Sequence, residues 1–182
     1  MPRLEPLDLN ALTPEQKIVA DAIISGPRGG LRGPFEPWLR SPGLADHAQK
    51  LGEHVRFGTS LPRDLSELAI ILTGKRWKAQ FEFWAHARLA KEAGLAEEII
   101  EAVRTGTTPE FGREEERVVH DFVTEFFATN RVSKTTYDRA IAAFGERGVV
   151  DLIGTVGYYG LVSMTLNVFE IALPEGVAEP LA

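Results

Sequence analysis

The chain contains no cysteine among its 182 residues. This absence excludes disulfide bonds and metal sites built from thiolates. It also excludes every reaction in which a thiol of this chain attacks a substrate or is oxidised. Any catalysis must therefore use carboxyl, imidazole, hydroxyl, amine or guanidinium groups.

An excess of positive charge is also missing. The chain has 20 Lys and Arg residues against 26 Asp and Glu residues, which gives a formal net charge of −6. No cluster of basic residues opposes this balance, so we expect no nucleic-acid partner. No apolar segment of the signal-peptide type follows Met1, and no uninterrupted apolar run reaches the roughly 18 residues of a membrane span. We therefore expect a cytoplasmic location and no membrane partner.

No stretch of the sequence alternates apolar and polar residues in the manner of a β-strand, so the predicted fold is all-α with six or more helices. The apolar content is 44%, which is ordinary for a globular protein. At this length we expect one domain over 1–182, with an extended arm at 1–12.

Capping patterns predict where the helices begin. Thr13, followed by Pro14 and Gln16, is a capping box, and this first helix should run to about Ser25. Ser41 begins a second helix that should reach about position 58. Further helices are predicted from Ser60 to Gly74, from there to Gly94, and over 96–105, 112–129, 134–144 and 149–171. The last one is apolar nearly all round, which predicts burial in the core or against another subunit.

The stretch 67–86 carries the most unusual pattern. Glu82 and His86 are four residues apart, so they lie on one face of a helix that is otherwise mostly apolar. Ionisable groups are costly to bury unless they are paired, and a carboxylate one turn before an imidazole can share a proton with it. Glu67, from the preceding helix, is a candidate third member. The alternative interpretation is a surface ion pair without a catalytic role.

The same residues carry a family resemblance. Glu67, position 79, position 82 and His86 resemble the E-x11-C-x2-C-x3-H frame of the AhpD-like alkylhydroperoxidases, which belong to the carboxymuconolactone decarboxylase superfamily. Ala79 and Glu82 occupy the two cysteine positions. The decarboxylase branch is cysteine-free there and has an E-x3-H pattern, which Glu82 and His86 match. The wider likeness includes 40–70 and 148–174 and covers roughly 35–174.

The resemblance implies an enzyme of the decarboxylase type that acts on a small carboxylated or lactone substrate without a cofactor. His86 would be the acid–base group, tuned by Glu82 and oriented by Glu67. It also implies a homo-oligomer, a trimer or a hexamer. Two alternatives stay open: a non-catalytic binding or assembly protein of the same fold, and an AhpD-like peroxidase, whose chemistry would need the missing thiols.

Five residues are candidates for binding the substrate. Trp77 precedes the Glu82–His86 pair in sequence, and Phe83 lies within it. Arg32 lies in the glycine-rich loop 26–37, whose amides and guanidinium groups suit an anion. His54 and Arg56 come from the helix that precedes the central stretch. For the loop and for this helix, the alternative is an ordinary solvated surface.

No metal site is predicted. The four histidines lie at positions 47, 54, 86 and 120 and form no HxxxH or HExxH element. His47 and His54 share a helix face, but their helical rise separates them by about 10 Å, too far to hold one ion without further ligands.

Overall fold

The computed structural model describes residues 2–182, which form eight α-helices and one π-helical turn and contain no β-strand. The all-α prediction is therefore confirmed. The elements in chain order are α1 (Pro14–Ser25), α2 (Phe35–Trp38), α3 (Pro42–Glu53), the π-helical turn His54–Gly58, α4 (Arg63–Arg76), α5 (Gln80–Glu92), α6 (Glu97–Thr105), α7 (Glu114–Thr129) and α8 (Lys134–Val168).

The N-terminal segment and α1 follow the predicted pattern. Residues 2–12 contain no helix, and the arm is held by hydrogen bonds from Arg3 N to Phe169 O at 3.0 Å and from Leu7 N to Glu36 Oε1 at 2.7 Å. In α1, the amide of Gln16 donates to the hydroxyl of Thr13, while the amide of Thr13 donates to the side-chain oxygen of Gln16. This pair of bonds confirms the capping box.

Helix α4 lies at the centre of the molecule. Every residue from Leu65 to Gly74 is buried, because α4 packs between two hydrophobic clusters. One cluster is built mainly from α4 to α8, and the other from α1 to α3 with the second half of α8. A functional group placed on α4 is therefore shielded from solvent on both sides.

Gly74 does not end α4, which contradicts the sequence prediction. The helix continues to Arg76, and Gly74 lies instead against α5, where an added Cβ would come within 3.4 Å of Phe83 N. The missing side chain lets the two antiparallel helices approach closely. The turn between them is tight, with Lys78 in the left-handed region at a φ of 50°.

Helix α8 joins two of the predicted helices. The predicted end of the first helix at Gly145 is confirmed in the backbone, because this glycine, with a φ of 67° and a ψ of 177°, interrupts the helical geometry with a kink that separates the two segments of α8. The second half stops at Val168 instead of position 171. Contrary to the sequence expectation, an 18-residue window of this helix is apolar enough by length and composition to cross a membrane, but 67% of that window is buried inside the structure.

Candidate active site

The imidazole of His86 lies between two buried carboxylates. Its Nδ1 atom is 2.6 Å from Glu67 Oε2, and its Nε2 atom is 2.9 Å from Glu82 Oε1. The side chains of His86, Glu67 and Glu82 are 7%, 4% and 4% exposed. The array forms because α4 and α5 run antiparallel, which brings Glu67 opposite His86, while the spacing of four residues on α5 supplies Glu82. These contacts match the geometry predicted for the three residues.

The two contacts differ in kind. The Glu67 contact is an aligned hydrogen bond, with His86 Nδ1–H as the donor. The Glu82 contact is also short, but the Nε2–H bond of His86 does not point at Glu82 Oε1. This carboxylate oxygen therefore has no aligned hydrogen-bond donor. Glu67 therefore fixes the orientation of the ring, whereas Glu82 acts on it mainly through its charge and keeps unused acceptor capacity.

The surroundings make His86 a cation at neutral pH. Burial lowers the pKa of an imidazole, but the negative charges of Glu82 and Glu67 outweigh it and raise the pKa of His86 to about 9. Both ring nitrogens then carry a proton. Tyr159 packs edge-on against the imidazole, with ring centroids 4.8 Å apart, and its own burial raises the pKa of Tyr159 well above the usual range. The ring next to the imidazolium is thus a neutral phenol.

A cavity of about 560 Å³ opens beside this array, and both Glu82 and His86 contribute to its wall. Its other walls come from the loop that follows α1, the π-helical turn, the outer face of α5 and the middle of α8. Aromatic rings form much of the lining: Phe35, Phe81, Trp84, Tyr158 and Tyr159. Its size and its mixture of apolar walls with a few polar groups are typical of sites for small molecules.

Four arginines line the same cavity, at positions 28, 32, 56 and 88. Among residues 2–182, no carboxylate lies within 4.0 Å of the guanidinium groups of Arg28, Arg32 or Arg56, while Arg88 is 3.8 Å from Glu92. Unpaired guanidinium groups around a concave space create a positive potential that attracts anions. Arg32 and Arg56, both candidates from the sequence, border this space.

The glycine-rich loop is shaped to place its arginines over the cavity. Gly29 and Gly33 have φ values of 67° and 64°, a region that side-chain-bearing residues rarely adopt. Arg28 and Arg32 alternate with these glycines along the loop. The position of the loop is therefore consistent with the anion-binding interpretation.

Three of the residues predicted from sequence to bind substrate do not reach the cavity. Phe83 is fully buried and packs into the core behind α5. Trp77 is exposed at the end of α4, where its carbonyl accepts a hydrogen bond from Asn167. His54 points to α8, where Nε2 lies 3.2 Å from Asp151 Oδ1. The helical period explains why Phe83 is absent from the wall. The cavity-lining face of α5 is centred near Ala85, and Phe83, two positions earlier, is rotated by about 160° from that residue.

Several cavity residues are absent from the set predicted by sequence. Trp84 lines the cavity, but it is rotated by about 200° from Glu82 on the helical wheel, so the spacing of Glu82 and His86 does not indicate it. Arg28 shares its loop with Arg32, and nothing in the local sequence distinguishes the two. Tyr158 and Tyr159 lie far along the chain from His86. Only the packing of α8 against α5 brings them to the site.

Neither a protein-family model nor a curated protein sequence matches this chain. Solved structures do match its fold. The crystal structure of the debrominase Bmp8 without ligand has a TM-score of 0.72 and 15% identity, covering 96% of this chain and 92% of that one. A cysteine-to-alanine variant of Bmp8 in complex with 2,3,4-tribromopyrrole gives a TM-score of 0.73 and 15% identity, over 96% of this chain and 91% of that one.

A third match is an uncharacterized peroxidase-related protein from Silicibacter sp. TM1040. It has a TM-score of 0.72 and 12% identity, over 94% of this chain and 91% of that one. At such low identity the likeness shows the fold alone, and it supports the predicted all-helical, AhpD-like arrangement. Membership of the carboxymuconolactone decarboxylase superfamily stays a prediction.

Proposed function

We propose that the chain is an enzyme that performs acid–base chemistry on a small, carboxylate-bearing substrate, in the manner of a decarboxylase. The observation that carries the proposal is the meeting, in one cavity, of the Glu67–His86–Glu82 array with arginines that lack acidic partners. A purely structural ion pair would not need a 560 Å³ cavity at its side.

His86 is suited to donate a proton. In a decarboxylation, the bond to the carboxyl carbon breaks, CO₂ leaves, and the electron pair stays on the substrate, where a conjugated carbonyl or lactone group delocalises it. The imidazolium of His86 then protonates the carbon or oxygen that carries this charge. Water in the cavity returns a proton to His86, while the charge of Glu82 favours the imidazolium and Glu67 keeps the ring in place. General acid–base catalysis typically contributes about 10²–10⁴-fold, so positioning must supply the remainder.

The arginines are expected to act on a part of the substrate that does not leave. A guanidinium bound to the departing carboxylate would stabilise the ground state and slow its loss. We therefore expect the arginines to hold a second anionic group, or an oxygen that gains charge during the reaction. Elimination or isomerisation beside a carbonyl would use the same groups.

Two other chemistries are not proposed for this site. Reduction of peroxides in the AhpD manner requires a nucleophilic thiolate and a resolving thiol, and the chain has no cysteine. Debromination is the activity of Bmp8, whose 15% identity to this chain extends the likeness to the fold and not to the reaction.

The proposal is tested with carboxylated lactones and keto acids as substrates, following CO₂ release and substrate absorbance. Glu82→Gln keeps the shape of the side chain and removes the charge that tunes His86, so we expect turnover to fall by about 10²-fold or more with the fold retained. Glu98→Gln, on an exposed side chain of α6, is the matched control and should leave turnover unchanged.

A purely structural role of the Glu67–His86–Glu82 array predicts a different result. If the array only supports the fold, Glu82→Gln should lower the free energy of unfolding by about 1–3 kcal/mol, since it leaves a buried partner poorly satisfied, while any turnover stays as in the wild type. That result would contradict the catalytic proposal and favour a binding or assembly role.

A further inference from the structure

Arg28 carries a charge that the chain itself does not neutralise. Its Nε and Nη2 atoms are buried and make no aligned hydrogen bond with a residue among 2–182, although Nη2 lies beside the Tyr158 hydroxyl. The residue as a whole is half-buried, and buried donor atoms without an aligned acceptor are unfavourable. Because Arg28 also lines the cavity, an anionic ligand there would lie beside the group that lacks a counter-ion.

The guanidinium of Arg28 is held in one place from two sides. It stacks over Phe35, 5.0 Å from the ring centroid. Its Nη2 atom and the Tyr158 hydroxyl converge above Gly52 of α3, so closely that a Cβ at that position would overlap both. Glycine at position 52 therefore creates the niche in which the two groups meet.

Tyr158 supplies a second hydrogen-bond donor beside the guanidinium of Arg28. Burial raises the pKa of Tyr158 to about 12, although the charge of Arg28 acts in the opposite direction. The phenol therefore keeps its proton at neutral pH. Its position is fixed by edge-on packing against Trp38 and Tyr159. A guanidinium and a phenol side by side are complementary to an oxyanion with two acceptor atoms.

One part of the cavity wall is apolar and aromatic. Phe81 and Trp84 lie on α5, with ring centroids 5.7 Å apart, and Leu89 and Val162 extend the surface. A small inorganic anion would leave these surfaces without a contact. An anion attached to a flat, unsaturated body would use both parts of the cavity.

We propose that Arg28 and Tyr158 form the subsite that binds a carboxylate of the ligand, with its unsaturated or aromatic body against Phe81 and Trp84. The orientation of that body toward Glu82 and His86 rests on the proposed function, whereas the binding of the carboxylate does not. The exposed arginine of the same loop, at position 32, contributes to the potential that attracts the anion, and Arg28 makes the defining contact.

Isothermal titration with benzoate tests the subsite without any turnover, and benzyl alcohol serves as the uncharged probe. The wild type should bind benzoate more tightly than benzyl alcohol. Arg28→Met should weaken benzoate binding by about 10–100-fold, which is the loss of affinity expected when one charge-assisted hydrogen bond is removed. The same variant should leave benzyl alcohol binding unchanged. Arg131→Met removes one positive charge from an exposed loop and should bind benzoate as the wild type does.

Tyr158→Phe keeps the shape of the ring and removes one donor, so it should weaken benzoate binding by a smaller factor even if Arg28→Met does not fold. Equal benzoate affinity in the wild type and in Tyr158→Phe and Arg28→Met would overturn the proposal, as would a wild type that does not bind benzoate at millimolar concentration. Inorganic phosphate that displaces benzoate and binds more tightly would overturn the assignment to a carboxylate.

The benzoate-binding test and the turnover test of the proposed function can fail independently. Glu82→Gln should retain benzoate binding if the subsite exists, whatever happens to catalysis. Benzoate binding that depends on Arg28, together with turnover that is insensitive to Glu82→Gln, would reject the catalytic proposal and keep the subsite.

Discussion

At the scale of single residues, the chemistry of His86 is set by its two carboxylate neighbours and by their shared burial. If only one carboxylate were present and exposed to solvent, it would change the pKa of the imidazole only slightly, because water screens charges. Buried together, they reverse the effect that burial has on a histidine and raise the pKa of His86 to about 9. The imidazole therefore holds its second proton against bulk water through the neutral range and loses it to water only in alkali.

The raised pKa predicts how stability depends on pH. An unfolded histidine titrates near pH 6.5, so between about pH 6.5 and 9 the folded protein binds more protons at His86 than the unfolded chain does. The stabilisation is complete below pH 6.5 and is lost as pH rises through 9. We expect the free energy of unfolding to fall by an amount on the order of 3 kcal/mol across this window.

Urea denaturation at a series of pH values measures this effect. The variant His86→Gln removes the imidazole and should lack the part of the decrease that His86 causes, although its stability at neutral pH will be lower because two buried carboxylates are left facing each other. A wild-type profile that is flat from pH 6.5 to 9 would show that His86 does not bind a proton as the distances indicate.

At the scale of secondary-structure elements, another buried carboxylate, that of Asp151, connects α8 to the π-helical turn and to the segment before α4. Asp151 of α8 is buried and accepts hydrogen bonds from Ser60 N at 2.8 Å and Ser60 Oγ at 2.7 Å, with His54 Nε2 at 3.2 Å. The sequence predicts Ser60 as the cap of α4. Its side chain reaches α8 instead, and α4 begins after Pro62 without a side-chain cap.

We expect Asp151→Asn to lower the free energy of unfolding by about 1–3 kcal/mol, because an amide cannot satisfy the same donors. Burial acts to raise the pKa of Asp151, but the Ser60 and His54 hydrogen bonds outweigh it and hold the pKa below its usual range. The contribution of Asp151 is therefore fully present above the unfolded pKa of about 3.9 and is lost as pH falls through the lowered pKa of the folded state.

Chemical denaturation at pH 7 and at pH 3 measures this contribution and its loss. Asp138→Asn, on the first turns of the same helix, removes an exposed carboxylate and is the matched control, with little expected effect. Equal stability of Asp151→Asn and the wild type at pH 7 would contradict the structural role.

At the scale of the whole molecule, α8 presents apolar side chains on one exposed face. Val150, Ile153, Met164 and Val168 are 70%, 41%, 41% and 54% exposed, and their spacing repeats along one side of the helix. Exposed apolar stripes of this kind on soluble proteins mark contact surfaces or aggregation sites. This face is the most direct candidate for the homo-oligomeric contact expected from the family resemblance.

We expect the protein to form a trimer or a hexamer at micromolar concentration, and Ile153→Glu to shift it toward the monomer by placing a charge in the contact. Size-exclusion chromatography with light scattering measures the mass. Ile18→Glu, on an exposed side chain of α1, is the matched control and should leave the mass unchanged. A monomeric wild type would contradict the expected assembly.

Local sequence patterns are sufficient for most of the helices and for the Glu82–His86 half of the array. The capping box at Thr13, the break at Gly145 and the shared face of Glu82 and His86 depend on residues that are close in sequence, and such relations follow from helical geometry alone. Composition adds one firm exclusion, because a chain without cysteine has no thiol chemistry of its own in any fold.

The tertiary structure decided what surrounds that array. Gly74 is typical of a helix stop when only its neighbours in sequence are considered, but the approach of α5 makes it a contact point. Arg28 and Tyr158 meet over Gly52, and Ser60 binds Asp151, although these residues lie far apart in the sequence. Burial, the pKa of His86 and the lack of a partner for Arg28 depend on which elements pack together, and packing is a property of the whole chain that no local pattern contains.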